Sequence, residues 1–116
     1  MADRIIHAEV VGKDSAKLQK FFSELFDWNI DTNNPGGYGM TAGSETGVVA
    51  GIGSTPDGSA GHVTFYVSVP DLDATLARVQ SLGGTVVMPK FSPAPDTFLA
   101  MFADPEGHVA GLSQGS

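Results

Sequence analysis

The stretch that decides the fold is Gly61-His62-Val63-Thr64-Phe65-Tyr66-Val67-Ser68-Val69-Pro70-Asp71-Leu72-Asp73. From His62 to Val69 two unlike sets of side chains alternate, which is the period of two typical of a strand with different faces. Pro70 ends this strand, and Asp71 is a residue type that caps the N-terminus of a helix. The stretch therefore predicts a strand that leads directly into a helix.

An earlier segment repeats the pattern. Residues 5–11 form a predicted strand that contains His7, and Asp14-Ser15 starts a predicted helix. The apolar stripe of that helix comprises Leu18, Phe21, Phe22 and Leu25. The two halves also match in letters, because residues 47–52 align with residues 107–112. We interpret the chain as an internal duplication of a strand, a helix and three strands.

The remaining strands follow from short apolar segments between turns. They are predicted at residues 28–30, 38–41 and 48–52 in the first half, and at residues 85–88, 97–102 and 108–112 in the second. Residues 91–95 contain two prolines and are predicted to form a loop. Glycines crowd residues 36–53, so we expect no helix there.

Composition excludes several classes of function. The chain has 116 residues, 41% of them hydrophobic and 16% charged, which predicts a single globular domain. A formal net charge of -7 argues against nucleic acid and anionic membranes as partners. No cysteine is present, so disulfides and thiolate metal sites are excluded. The N-terminal residues lack an apolar signal region and no apolar run spans a membrane, so we expect a cytoplasmic protein.

The order of these features resembles the vicinal oxygen chelate superfamily, which comprises glyoxalases, bleomycin resistance proteins and extradiol dioxygenases. The resemblance rests on the His7 strand, the helix ending in residues 21–28, the His62 strand with residues 71–73, Leu82-Gly83-Gly84 and the turn at residues 104–108. Phe22 and Asp27 depart from the family's usual Tyr and Gly.

The resemblance implies an α+β fold in which two βαβββ modules form a partly open barrel around a cavity. Module 1 would span about residues 4–53 and module 2 about residues 60–114, within one domain of residues 1–116. It also implies a homodimer.

Enzymes of that superfamily hold a divalent metal with first-strand histidines and closing-strand carboxylates. By this resemblance His7 and His62 would bind Zn, Ni or Fe, but the closing positions fall at Gly51 and Gly111. Glu9, on the same strand face as His7, is an alternative third ligand. Two imidazoles alone bind such metals weakly. We therefore expect no cofactor, with a metal site of two histidines and Glu9 as the alternative.

A ligand pocket is predicted from polar and aromatic residues. His62, Thr64 and Tyr66 share one strand face and form the best polar row. Several aromatic candidates are equally consistent with core packing. The complete set of candidate ligand-binding residues is His7, Glu9, Trp28, Tyr38, His62, Thr64, Tyr66, Phe98 and Met101.

Three functions are consistent with these residues. The leading hypothesis is a metal-independent protein that binds a small organic molecule. The second is a metal-dependent lyase, isomerase or dioxygenase that uses His7 and His62. The third is a metal-free enzyme with His62 or Glu9 as general base. No catalytic residue is assigned, and the sequence leaves open whether the protein is an enzyme.

Overall fold

The computed structural model describes residues 2–114. Within that range it contains seven strands and three helices, in the α+β arrangement that the sequence predicts. The strands are β1 (Arg4–Gly12), β2 (Gly39–Met40), β3 (Val49–Ser54), β4 (His62–Ser68), β5 (Thr85–Ala94), β6 (Thr97–Ala103) and β7 (Val109–Gln114). The helices are α1 (Ser15–Phe26), α2 (Gly43–Thr46) and α3 (Leu72–Ser81).

The described residues form two compact units. One unit is His7–Val63, and the other contains the remaining described residues. The proposed modules at about residues 4–53 and 60–114 stay a prediction. No helix among residues 2–114 is long and apolar enough to cross a membrane.

In the His7–Val63 unit the strands lie in the order β2-β3-β1. β3 runs parallel to β1 and antiparallel to β2. Helix α1 contacts β3, and Gln19 on that helix donates to the Ile52 carbonyl at 3.0 Å. The helix therefore packs on the sheet face that carries Ile52, whereas His7 and Glu9 lie on the opposite face by strand alternation.

In the other unit the strands lie in the order β4-β7-β6-β5. β4 and β7 are parallel, and the other pairs are antiparallel. The buried core beneath helix α3 consists of Val69, Leu72, Leu76, Ala100 and Leu112. The register places Tyr66, Gly111 and Met101 side by side on the opposite face from this core.

Both long helices begin where the sequence predicts. The Asp14 carboxylate accepts the Lys17 amide at 3.1 Å, and the Asp71 carboxylate accepts the Ala74 amide at 3.1 Å. These bonds satisfy amides that have no partner within the helix. Helix α1 ends at Asp27, whose φ of 59° lies in the left-handed region. Glycine adopts this conformation without strain, which accounts for the glycine that the superfamily usually has at the position of Asp27.

Strand β4 alternates as predicted, with its polar row turned inward. Thr64 and Tyr66 are buried, whereas Val63 is 78% and Phe65 is 44% exposed. The face that the pattern marks as polar is therefore the shielded one. Burial of a threonine and a tyrosine beneath an exposed valine and phenylalanine reverses the usual order of polar and apolar faces.

Three local predictions are wrong. Residues 28–30 form no strand, since the Trp28 carbonyl accepts the Ser23 hydroxyl at 2.8 Å and the chain next pairs at the bridge between Asp31 and Met40. Residues 91–94 belong to β5 rather than to a loop. β5 lies at the edge of the sheet and shifts register along β6, and prolines are tolerated in edge strands and at bulges. The glycine-rich region also contains the short helix α2.

The apolar stripe of α1 is only partly covered. Phe21 and Leu25 are exposed, and none of the helix residues is fully buried. Phe22 and Phe26 instead stack around Trp28, with ring centroids 5.8 and 5.3 Å from the indole.

Candidate functional site

A chain of hydrogen bonds joins four of the predicted site residues. The His7 Nε2 atom lies 2.9 Å from the Tyr38 hydroxyl. That hydroxyl donates to Glu9 Oε1 at 3.0 Å, and Glu9 Oε2 lies 3.0 Å from His62 Nε2. All four residues belong to the His7–Val63 unit. The carboxylate of Glu9 is thus the acceptor shared by two neighbours.

Burial is the main influence on the ionisation of His7. It lowers the pKa of His7 below its ordinary value of 6.5, and the charge of Glu9 opposes that shift. The neutral imidazole is therefore the favoured form of His7 near pH 7.

The Glu9 carboxylate is more shielded than the histidine it binds. The side chain of Glu9 is 13% exposed, whereas that of His62 is 35% exposed. A half-buried carboxylate needs hydrogen-bond donors, and Tyr38 and His62 supply them. His62 is therefore the member of this pair through which solvent or a small molecule gains access.

Tyr38 is held in place by the turn before it. The Asn34 side chain donates to the Tyr38 carbonyl at 2.6 Å and accepts the Tyr38 amide at 3.0 Å. Gln19 on α1 donates to the Gly37 carbonyl at 3.1 Å. These three bonds fix the backbone on both sides of the tyrosine, and its hydroxyl is held by His7 and Glu9.

Gly51 provides the space that the tyrosine occupies. It pairs with Glu9 in the parallel register of β1 and β3. A Cβ atom added to Gly51 would overlap the Tyr38 hydroxyl and lie 2.5 Å from His7 Nε2. The missing carboxylate of the superfamily pattern is therefore replaced by the Tyr38 phenol, which enters from another part of the chain.

In the second unit, too, a tyrosine side chain occupies the space beside a glycine. Tyr66 pairs with Gly111 in the register of β4 and β7, and a Cβ atom on Gly111 would overlap the Tyr66 ring. Thr64, two residues earlier, donates its hydroxyl to the Val109 carbonyl at 2.7 Å. Met101 is buried on the same face.

These registers change the alignment of the two halves. Gly51 and Gly111 are 60 positions apart (111 minus 51), and their partners Glu9 and Tyr66 are 57 apart (66 minus 9). The match of His7 with His62 has a period of 55 (62 minus 7) and is therefore offset by two residues. By strand register the equivalent of His7 is Thr64.

The structure separates two predicted residues from these tyrosine sites. Trp28 lines an open groove of about 360 Å³ with residues of α1. It does not take part in the hydrogen-bonded chain from His7 to His62. Phe98 packs against the core beneath α3, and the Lys90 ammonium lies 4.8 Å from its ring centroid. A role of either residue in ligand binding stays a prediction. The sequence predicted that Tyr38 lines a pocket. It did not predict that the Tyr38 hydroxyl links His7 to Glu9.

The side chains as arranged do not fit a metal centre of three ligands. His7 Nε2 and Glu9 Oε1 are both hydrogen-bonded to the Tyr38 hydroxyl, and Glu9 Oε2 is bonded to His62. Gly51 and Gly111 supply no ligand atom. Across residues 2–114, no three or more histidine, aspartate or glutamate side chains are grouped so that they could hold a metal ion. The expected absence of a cofactor in solution stays a prediction.

A match to a protein-family model establishes the family to which this chain belongs. Residues 9–112 match the model of the glyoxalase-like domain. The chain belongs to this family. The resemblance predicted from the sequence is therefore confirmed at the level of family and fold.

Individual relatives agree with this assignment. The glyoxalase-like chain is 33% identical over 112 residues to the Mycobacterium bovis protein named "Putative glyoxylase CFP32", covering 89% of this chain and 42% of that protein. It is 29% identical over 111 residues to the anthracycline biosynthesis protein DnrV of Streptomyces peucetius, covering 81% of this chain and 40% of that protein. This chain thus spans about two fifths of the length of these curated relatives.

A solved structure supports the fold alone. A glyoxalase/bleomycin resistance protein/dioxygenase superfamily member from Vibrio splendidus superposes with a TM-score of 0.65 at 20% identity. The superposition covers 97% of this chain and 99% of the other.

Proposed function

We propose that this glyoxalase-like chain binds a small organic molecule beside Glu9 and His62, and that it does so without a divalent metal. The observation that carries the proposal is the hydrogen-bonded chain from His7 through Tyr38 and Glu9 to His62. A few fixed polar groups on a shielded sheet face are the usual means by which proteins orient small ligands. The name of the Streptomyces peucetius relative, which refers to the biosynthesis of anthracycline, supports a small organic ligand.

The ligand is expected to interact with the Glu9 carboxylate through hydrogen-bond donors of its own or through His62. A hydrogen bond to a charged group contributes about 1.5–3 kcal/mol, more than a bond between neutral groups. Glu9 is therefore the residue whose change is expected to affect affinity most.

The test combines a metal measurement with a ligand screen. Protein purified without chelator is weighed by native mass spectrometry, and a library of small organic molecules is screened by thermal shift. Affinities of the hits are then measured for wild type, Glu9→Gln and Glu24→Gln. Glu24 is an exposed carboxylate on α1 and serves as the matched control. We expect Glu9→Gln to weaken binding by about tenfold or more and Glu24→Gln to leave it unchanged. Equal affinities in all three proteins would place the ligand elsewhere.

The competing proposal is a metal-dependent lyase, isomerase or dioxygenase that uses His7 and His62. It is favoured by the first-strand histidines that the resemblance predicts, with His62 offset by two residues in the strand register, and by the name of the Mycobacterium bovis relative. About one metal ion per native chain, lost in a His7→Ala/His62→Ala variant, would support it and overturn the metal-free proposal. Turnover by metal-free protein would instead identify an enzyme with His62 or Glu9 as general base.

A further inference from the structure

The Tyr38 hydroxyl stands at the point where a cation shared by His7 and Glu9 would stand. It lies 2.9 Å from His7 Nε2 and 3.0 Å from Glu9 Oε1. Zn²⁺ bonds imidazole nitrogen and carboxylate oxygen at about 2.0–2.2 Å. A cation at the hydroxyl position would therefore require each ligand to move by no more than about 1 Å. The geometry needed for a metal is nearly present, with a phenol in its place.

The ring of Tyr38 closes the surrounding space as well. A Cβ atom on Gly51 would point at both the hydroxyl and His7, and a Cβ atom on Gly53 would lie 2.7 Å from Tyr38 Cδ1. The tyrosine therefore covers the part of β3 from which a third ligand would reach the imidazole. Asn34 holds the Tyr38 backbone, and the bonds of the hydroxyl to His7 and Glu9 hold the ring in this position.

We propose that Tyr38 is the residue that bars divalent cations from this site, and that its removal turns His7 and Glu9 into a cation-binding pair. The inference rests on the proposed metal-free function and names the group responsible for it. His62 stays bonded to the second Glu9 oxygen and orients the carboxylate toward the cation, as outer hydrogen bonds do in metal sites.

Calorimetric titration with ZnCl₂ alone tests the proposal. The proteins are wild type, Tyr38→Leu, Tyr38→Val and Tyr38→Phe, each checked by circular dichroism and thermal unfolding. Tyr38→Leu and Tyr38→Val are made in parallel so that the result does not depend on one variant folding. We expect both to bind Zn²⁺ with a Kd lower than that of wild type by about tenfold or more.

Tyr38→Phe is the matched control. It removes the hydroxyl, but its Cζ atom remains one bond length from the position that the cation would occupy. The phenyl ring therefore still excludes a cation, and we expect its affinity for Zn²⁺ to equal that of wild type. Zn²⁺ binding by Tyr38→Phe as tight as that by Tyr38→Leu would contradict the role of the ring.

A second pair of variants tests the position of the cation. In the Tyr38→Leu background, Gly51→Ala returns a carbon atom to the former hydroxyl position, whereas Gly53→Ala returns one only to the former ring edge. We expect Gly51→Ala to reverse the gain in Zn²⁺ affinity, by about tenfold, and Gly53→Ala to leave that gain in place. Replacing His7 by Ala in the Tyr38→Leu protein should also abolish the gain.

The outcomes separate this inference from the proposed function. One tightly bound Zn²⁺ in wild type would overturn both. Folded Tyr38→Leu or Tyr38→Val that binds Zn²⁺ no better than wild type would overturn only the role of Tyr38. In that case the ligand screen and the Glu9→Gln comparison still stand as tests of small-molecule binding.

Discussion

Glycine stands at positions 51 and 111, where the superfamily resemblance predicts a carboxylate. Each glycine is paired across a parallel register with a polar residue, Glu9 in one unit and Tyr66 in the other. Each leaves room for a tyrosine side chain. A phenol both accepts and donates hydrogen bonds, so one hydroxyl bridges His7 and Glu9.

At the residue scale, we predict that Gly111→Ala destabilises the fold by about 1–3 kcal/mol, the usual cost of overpacking. The added methyl group would overlap the ring of Tyr66, which is buried and cannot turn outward freely. Urea unfolding followed by fluorescence measures the change. Gly36→Ala is the control, because its Cβ atom would meet only Asn34 Oδ1 at 3.9 Å. A neutral Gly111→Ala variant would mean that Tyr66 does not pack as described.

The sequence predicted that Gly51 and Gly111 would lack the expected carboxylate. It did not predict that tyrosine side chains would occupy the space beside them. The internal repeat and the family resemblance both identify Gly51 as a position without its expected carboxylate. Tyr38 is 13 positions away (51 minus 38) and reaches that space only because the intervening turn and β2 fold back onto β3. Such a contact depends on tertiary structure, and no local pattern encodes it.

At the scale of elements, helix starts could be predicted because the capping bond is local. We predict that Asp71→Ala destabilises the fold by about 1 kcal/mol, since the Ala74 amide loses its acceptor at the start of α3. Asp71→Asn is the matched control and should be nearly neutral, because asparagine caps equally well. The measurement is the midpoint and slope of urea unfolding. Equal losses in both variants would indicate that charge rather than capping matters.

The turn between β6 and β7 gives a pH-dependent prediction. The backbone amide of His108, then its side chain and the Glu106 amide, lower the pKa of Asp104 below its ordinary value of 3.8. A carboxyl with a depressed pKa stabilises the fold above its unfolded pKa and loses that effect as the pH falls through the folded value. We therefore expect Asp104→Asn to be less stable than wild type at pH 7.

The difference in free energy of unfolding between the two proteins should shrink as the pH falls below about 3.8. The Asp104 carboxyl of wild type is then protonated and, like asparagine, carries no charge. Urea unfolding at several pH values measures it. A difference that stays constant down to low pH would show that the Asp104 charge contributes nothing to the turn.

Elements whose formation depends on partners were predicted less well. Residues 28–30 have the composition of a strand. The Trp28 carbonyl instead accepts a hydrogen bond from the Ser23 hydroxyl, and residues 28–30 pair with no strand that the structure describes. Residues 91–94 contain prolines, yet they extend β5 because an edge strand needs hydrogen bonds on one side only. In both cases the outcome depends on the side chain or strand that lies next to the segment, and the local sequence does not specify that neighbour.

At the scale of the whole molecule, family membership fixes the fold and leaves the ligand open. This chain covers 42% of its Mycobacterium bovis relative, so the activity of that longer protein does not transfer directly. Related structures at 20% identity or lower show the same architecture and no more. A homodimer and a cytoplasmic location stay predictions.

The metal question has a whole-molecule test that needs no knowledge of the ligand. A ligand that binds only the folded state at 100 times its Kd raises the free energy of unfolding by about 2.7 kcal/mol. For a domain of this size that corresponds to a rise in Tm of about 10 °C. We predict that neither Zn²⁺ nor a chelator changes the Tm of wild type, because Tyr38 holds the position between His7 and Glu9. Tyr38→Leu should start from a lower Tm, having lost the ring, and regain part of it when Zn²⁺ is added. A chelator that lowers the Tm of wild type by several degrees would mean that the native fold depends on a metal, and that the phenol of Tyr38 moves aside to admit it.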